Sequence, residues 1–236
     1  MKSLWVVLAV ALVAGLASAT PISNGTLDCP GCSSDPNWSG WYVVLPAPST
    51  AITNWTVGGT AVVWVSEWNG TTGWQSADGL GSVVGLNATY NQQPSWGSVS
   101  QLLTGLAPSA VYTLYYQLSA APGGKQYGAG GDYNYGYRQV NVQVAGTPAQ
   151  IVTYSYRSDN SAANMNWELH SYVFTTGPNQ TDALLTFQSA STGILFGAAI
   201  DDVFFREGEG EVPEPGTFSL LMGAGLAGLA FLKFRK

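Results

Sequence analysis

Val111-Tyr112-Thr113-Leu114-Tyr115-Tyr116-Gln117-Leu118-Ser119 carries the clearest two-residue period in the chain. Successive side chains of an extended chain point to opposite faces, so Tyr112, Leu114, Tyr116 and Leu118 share one side and Thr113, Tyr115 and Gln117 the other. Gln139 to Val144 repeats the pattern, with Val140, Val142 and Val144 opposite Gln139, Asn141 and Gln143. Working outward, segments rich in Val, Thr, Tyr and Trp predict further strands over 51–57, 60–68, 82–88, 98–104, 151–156, 167–175, 183–189 and 198–206. Glycine or proline punctuates most gaps between them. No part of this body carries a sustained helical period. About ten short strands in one body predict an all-β, two-sheet antiparallel sandwich, most simply a jelly roll.

The two ends obey different rules. Lys2, an apolar stretch from Leu4 to Leu16 and the small residues Ala17-Ser18-Ala19 make residues 1–19 a secretory signal peptide, with the mature chain starting at Thr20. At the other end, Gly216 to Leu232 is a run of seventeen uncharged residues followed by Lys233, Arg235 and Lys236. At about 1.5 Å per residue it spans roughly 25 Å, the short end of what crosses a hydrocarbon core of roughly 30 Å. Basic residues after the run and acids before it predict a transmembrane helix with the body of the chain outside the cytoplasm. The box Val212, Pro213, Glu214 and Pro215 precedes the run, and its prolines keep a helix from continuing back into the folded body.

Residues 211–236 resemble the PEP-CTERM sorting signal of bacterial exported proteins: a Val-Pro-Glu-Pro box, a short membrane helix and a basic end. The resemblance implies an exosortase-type enzyme as partner, anchoring in the inner membrane, and association with cell-surface or extracellular polysaccharide after processing. An ordinary anchor helix is the plainer alternative.

Between the ends, residues 20–210 form one domain's worth of chain. There, four basic side chains (Lys125, Arg138, Arg157, Arg206) stand against twelve acidic ones. No basic patch exists to displace counterions from a nucleic-acid backbone, which excludes DNA and RNA as partners. Cys29 and Cys32 lie in Cys-Pro-Gly-Cys. In an exported chain they read as a local disulfide pinning the N-terminal loop, with a redox pair as the alternative.

The body carries a second resemblance. Ser23-Asn24-Gly25-Thr26-Leu27-Asp28 looks like the opening of galactose-binding-like modules, and Ala51-Ile52-Thr53-Asn54-Trp55-Thr56-Val57 like the strand that follows. Ser82-Val83-Val84-Gly85-Leu86-Asn87, Gly97-Ser98-Val99-Ser100-Gln101, Leu185-Thr186-Phe187-Gln188-Ser189 and Ala199-Ile200-Asp201-Asp202-Val203 continue the series. In that order they resemble domain-of-unknown-function family 642. Leu27-Asp28 departs from the usual Phe-Glu, and the Gly/Tyr segment 120–137 is enlarged. The resemblance implies a carbohydrate-binding-module-like sandwich, with no catalytic residues to carry over.

A sugar is held by stacking its C–H face on an aromatic ring while polar groups fix its hydroxyls. Tyr127, Asp132, Tyr133, Tyr135 and Tyr137 are the densest such set, and Trp68 with Trp74 around the turn 69–73 is the second; Trp96 follows a proline in another loop. A hairpin packing on its own domain is the alternative for the tyrosines. Trp55, Trp64 and Trp167 read as core. Strict alternation in the last strand would set Asp201 and Asp202 on opposite faces, one beside apolar neighbours, where an unpaired charge is costly. Galactose-binding-like modules answer this with a structural calcium ion, so Asp28 and Asp201 are candidate ligands; backbone N–H donors are the alternative. His170 reads as a strand-surface side chain, with no nucleophile elbow, phosphate loop or dinucleotide fingerprint anywhere. The expectation is a non-catalytic, surface-anchored binder of extracellular or cell-envelope polysaccharide. A structural or adhesive matrix protein is the alternative; a glycan hydrolase is the third.

Overall fold

The computed structural model describes residues 22–79, 81–90, 93–122, 137–191 and 197–207. The expected signal peptide and the sorting tail lie outside the described residues. The described residues are all-β and form two antiparallel sheets. The first runs in the order β1 (Tyr42–Pro46), β3 (Ala61–Ser66), β4 (Ser82–Gly85), β12 (Ala198–Glu207), β7 (Val111–Ala120), β10 (Glu168–Thr175). The second runs β2 (Thr56–Gly59), β6 (Gln93–Thr104), β11 (Asp182–Ser189), β8 (Tyr137–Val144), β9 (Gln150–Ser155), with β5 (Asn87–Tyr90) paired to the start of β6. One 3₁₀ turn, Cys32–Ser34, is the helical content of the described residues.

The core fills the space between the sheets. Val43, Leu45, Val62, Trp64, Leu114, Leu118 and Ile200 from the first sheet meet Val99, Leu103, Val140, Val142, Leu185 and Phe187 from the second. Tyr116 sets its ring edge-on to Phe187 at 5.0 Å, joining the layers by an aromatic contact. Cys29 and Cys32 form the expected disulfide, and both are buried.

The Asn24-Gly25 opening is structural. Asn24 adopts φ 58° and donates through Nδ2 to the Asp28 and Thr53 carbonyls, both at 2.8 Å, while its Oδ1 accepts the Asp28 N–H. The Trp55 indole donates to the Asn24 carbonyl at 2.8 Å. A Cβ on residue 25 would lie 2.1 Å from the Val203 carbonyl oxygen, so only glycine lets the N-terminal loop seat on the last strand.

Several predicted elements change. The strand expected over 51–57 is mostly loop: Asn54 takes a left-handed φ of 64°, and pairing begins at Thr56. Tyr42–Pro46, read as no element, is an edge strand paired to β3. Strict alternation also fails in β12. A bulge between Asp201 and Phe204, with Asp202 at φ 46°, inserts one residue into the ladder. Ile200, Val203 and Phe205 thereby all enter the core, and Asp201 is buried outside that cluster. His170, expected on the strand surface, is only partly exposed. It pairs opposite Tyr116, stacks on that ring at 5.9 Å, and points between the sheets.

β7 departs furthest from expectation. Thr113, Tyr115 and Ser119 lie on the side opposite Tyr112, Leu114, Tyr116 and Leu118, yet both sides are buried. The outer face of the first sheet is covered by two loops, 67–76 and 157–167. They bring Trp74 and Met165 onto Val65, Val83, Ala121 and Ala199 as a second, smaller core.

Candidate functional site

The two covering loops also shape a cleft of about 530 Å³, lined by Trp41, Trp68, Thr71, Thr72, Gly73, Trp74, Pro122, Tyr156, Asn160, Ser161 and Ala162. That volume is within the range of small-ligand sites. No charged side chain is among the described residues that line it, while the Arg138 guanidinium lies 5.7 Å over the Tyr156 ring.

Each wall follows from local sequence. In the 67–76 loop, Asn69 Oδ1 accepts the N–H groups of Thr71 and Thr72, and the turn closes with Asn69 N–H donating to the Thr72 carbonyl. Gly73 sits at φ +96°, and a Cβ there would be 2.4 Å from the Glu67 carbonyl oxygen. That close approach lets Trp74 donate its N–H to the Ser66 carbonyl, and lets its own carbonyl accept from Trp68. The facing wall is held by Asn160, which is buried. Its Nδ2 donates to the Met165 carbonyl at 3.0 Å and its Oδ1 accepts the Tyr154 hydroxyl at 2.8 Å. Tyr156 donates to the Asn160 carbonyl at 3.1 Å. Gln75 joins the walls: its N–H reaches the Ala162 carbonyl, its side chain accepts from Met165 N–H, and its carbonyl accepts the Trp167 indole.

The arrangement is a rigid, uncharged slot with half-buried Trp68, Trp41 and Tyr156 beside amide and hydroxyl groups. Such a slot can stack a ring and hydrogen-bond hydroxyls. Trp68 and Trp74 are therefore brought together as expected from the sequence. Tyr127, Asp132, Tyr133 and Tyr135 lie outside the described residues. Tyr137 opens β8 opposite Ser155, but its side chain is likewise outside the description. Pro122, the last described residue before 123–136, lines the cleft. Sequence reasoning missed Trp41, Tyr156 and Asn160. The run Trp41-Tyr42-Val43-Val44-Leu45 is a strand signal that would have found the first. Nothing in the sequence placed 156–162 against 67–76. Trp55 and Trp64 are core, and Trp167 packs on the second cluster.

The acidic candidates lie around the 76–82 loop. Asp28 accepts from Thr26 Oγ1 at 3.0 Å and from Ser82 Oγ at 3.2 Å. Asp201 is 1% exposed, and both its oxygens are used, accepting the N–H groups of Ala77 and Asp202 at 2.7 Å each. Burial pushes its carboxyl up to about 7. The two N–H donors oppose that rise, and Asp78 and Asp202 add to it. Burial, with Asp78, raises Asp202 as well. Backbone donors thus satisfy Asp201 in this structure. No group of three or more His, Cys, Asp or Glu side chains gathers to hold a metal among the described residues. His170 Nε2 is 3.6 Å from Glu168, too long for a hydrogen bond.

Fold and cleft define an all-β sandwich module with an uncharged aromatic slot on its covered sheet. Residues 22–206 match the family described as protein of unknown function (DUF642), and the chain belongs to that family. Residues 211–236 match the PEP-CTERM protein-sorting motif, which marks an exported, membrane-sorted protein. No curated protein sequence matches the chain. Among solved structures, the chain is similar to the Stig cyclase Fisc from Fischerella sp. TAU in complex with (3Z)-3-(1-methyl-2-pyrrolidinylidene)-3H-indole. That likeness has 14% identity and TM-score 0.50, covering 82% of this chain and 98% of that one. It is also similar to TmCBM61 in complex with beta-1,4-galactotriose, with 14% identity and TM-score 0.41, covering 65% and 88%. A CBM4 structure gives 15% identity and TM-score 0.38, covering 80% and 100%. At these identities the cyclase likeness concerns the fold alone, and the two weaker ones carry no argument about chemistry.

Proposed function

We propose that this protein is a non-catalytic binder of extracellular or cell-envelope polysaccharide. In this reading the helix 216–232 holds it in the bacterial inner membrane with the sandwich outside. An exosortase-type enzyme acts at the 212–215 box and passes it on to the surface or matrix. The observation that carries the binding role is the slot between Trp41, Trp68, Trp74 and Tyr156, with Thr72, Asn160 and Ser161 beside the rings. Aromatic faces take the C–H side of a pyranose, and uncharged donors and acceptors suit its hydroxyls. The absence of carboxylate, imidazole or thiol from the described lining supports binding without catalysis. We also read the sandwich as a galactose-binding-like jelly roll, supported by the way β6 to β12 cross repeatedly between the sheets.

Residues 20–210, the signal and tail removed, should be retained by at least one polysaccharide on a glycan array, and Trp68→Ala should weaken that retention. Tyr133→Ala and Tyr135→Ala ask whether the 123–136 segment extends the slot; unchanged retention by both limits the site to the described walls. A blank array favours the adhesive matrix role instead. Calcium at Asp28 and Asp201 stays a proposal from the family resemblance. It requires their present hydrogen bonds to rearrange, and a chelator should then lower the melting temperature.

A further inference from the structure

The other sheet turns a different surface outward. Along β6 the outward residues are Trp96, Ser98, Ser100, Leu102 and Thr104; along β11 they are Leu184, Thr186 and Gln188. β8 contributes Gln139, Asn141 and Gln143, and β9 contributes Ile151 and Thr153. None is charged; Asp182, at the far end, is the first acid on this face. The register lays Ser98, Gln188, Asn141 and Ile151 in one row across four strands, a span of about 14 Å at the usual strand spacing.

One end of this face is built as more than solvated sheet. Trp96 is 48% exposed, which is unusual for a tryptophan with a sandwich core at hand. It borders a depression of about 390 Å³, lined also by Asn141, Ile151, Gln188 and Ser191. Asn141 Oδ1 is buried there without a hydrogen-bond partner, an omission that native proteins rarely tolerate. Gln188 is exposed and makes no side-chain hydrogen bond among the described residues. Their neighbours are already committed. Ser100 bonds Thr186 at 3.0 Å, Gln139 Nε2 bonds Thr153 at 3.3 Å, and Ser191 Oγ accepts the Gln139 N–H at 2.7 Å. A ring platform, an unsatisfied carbonyl oxygen and a free amide therefore converge on one shallow groove.

We infer that this groove is a second saccharide site, distinct from the slot on the first sheet, and that it takes a neutral, extended polysaccharide chain. Trp96 stacks a sugar ring, Asn141 Oδ1 accepts a sugar hydroxyl, and Gln188 donates to or accepts from the next ring along the row. Neutrality follows from the face itself. A uronate or sulfated polymer calls for Arg or Lys, and the described residues of this face include neither, while the chain as a whole has formal net charge −6. The site stands on its own residues; its consequence, one sandwich bridging two polymer chains from opposite sheets, rests on the slot reading above.

The test is affinity electrophoresis of the full chain in detergent, with hydroxyethylcellulose, β-1,4-galactan or polygalacturonate in the gel. At least one neutral polymer should retard the wild type, and Trp96→Ala should weaken its apparent affinity roughly three- to tenfold. Gln188→Ala should weaken it by about twofold. Both positions are exposed, so melting temperatures should match the wild type. Trp68→Ala should leave the Trp96-dependent part intact, and the double variant should lose both. Wild-type affinity in Trp96→Ala and Gln188→Ala overturns the inference, as does retardation by polygalacturonate alone or by no polymer. If Trp68→Ala has no effect while Trp96→Ala does, the slot reading falls and the second site stands.

Discussion

The outer faces of the two sheets start from similar sequence and end differently. β7 and β8 both alternate apolar with polar or amphipathic residues. In β8 the alternation is realised: Val140, Val142 and Val144 are buried, and Gln139, Asn141 and Gln143 face out. In β7 it is overridden: Thr113, Tyr115 and Ser119 are all buried, Tyr115 stacked on Phe204 and Ser119 donating to the Met165 carbonyl of the 157–167 loop. The pattern of a strand states which residues can face water. Whether they do depends on distant loops. The covered face consequently gains a rigid slot and a buried acid, while the bare face keeps an open groove.

This contrast sets the order of expected effects. Met165 is fully buried under the covering loop, and Met165→Ala should cost about 2–5 kcal/mol by denaturant unfolding. A cost near zero would mean that the cover does not belong to the cooperative fold.

Asp201 lies beneath the same cover. Its folded carboxyl holds a proton up to about 7, whereas the unfolded one releases it near 4. The folded state therefore binds the extra proton between those values, so stability should fall as pH rises from about 4 to 7 and level off above. In chelator-containing buffer the fall should be on the order of 3 kcal/mol, and Asp201→Asn should flatten it. A pH profile identical in the variant would place the titration elsewhere.

Asn160→Ala removes the amide that ties Tyr154 to the Met165 carbonyl and should cost about 1–3 kcal/mol, with loss of slot binding. Ile151→Ser on the bare face, where Ile151 is 61% exposed, should change stability by no more than about 0.5 kcal/mol. A large loss there would show that the face is covered in solution.

What was legible in the sequence follows the same division. Strand alternation, the Cys29–Cys32 bridge and the pairing of Trp68 with Trp74 are local and were readable from spacing. Residues that act through the loops were not, because Tyr156 and Asn160 meet Trp74 only through tertiary pairing of segments some 90 residues apart. The β12 bulge escaped for another reason. It needs a left-handed Asp202, a conformation that no alternation rule anticipates. Trp41 was readable, since its strand signal is plain.

In the proposed function, the slot on the covered sheet engages a sugar chain. Calorimetric titration of the tail-free domain with an oligosaccharide selected by the array tests it most directly. Binding should be saturable and weakened roughly tenfold by Trp68→Ala, with unchanged unfolding. Equal affinity in Trp68→Ala and the wild type would contradict it.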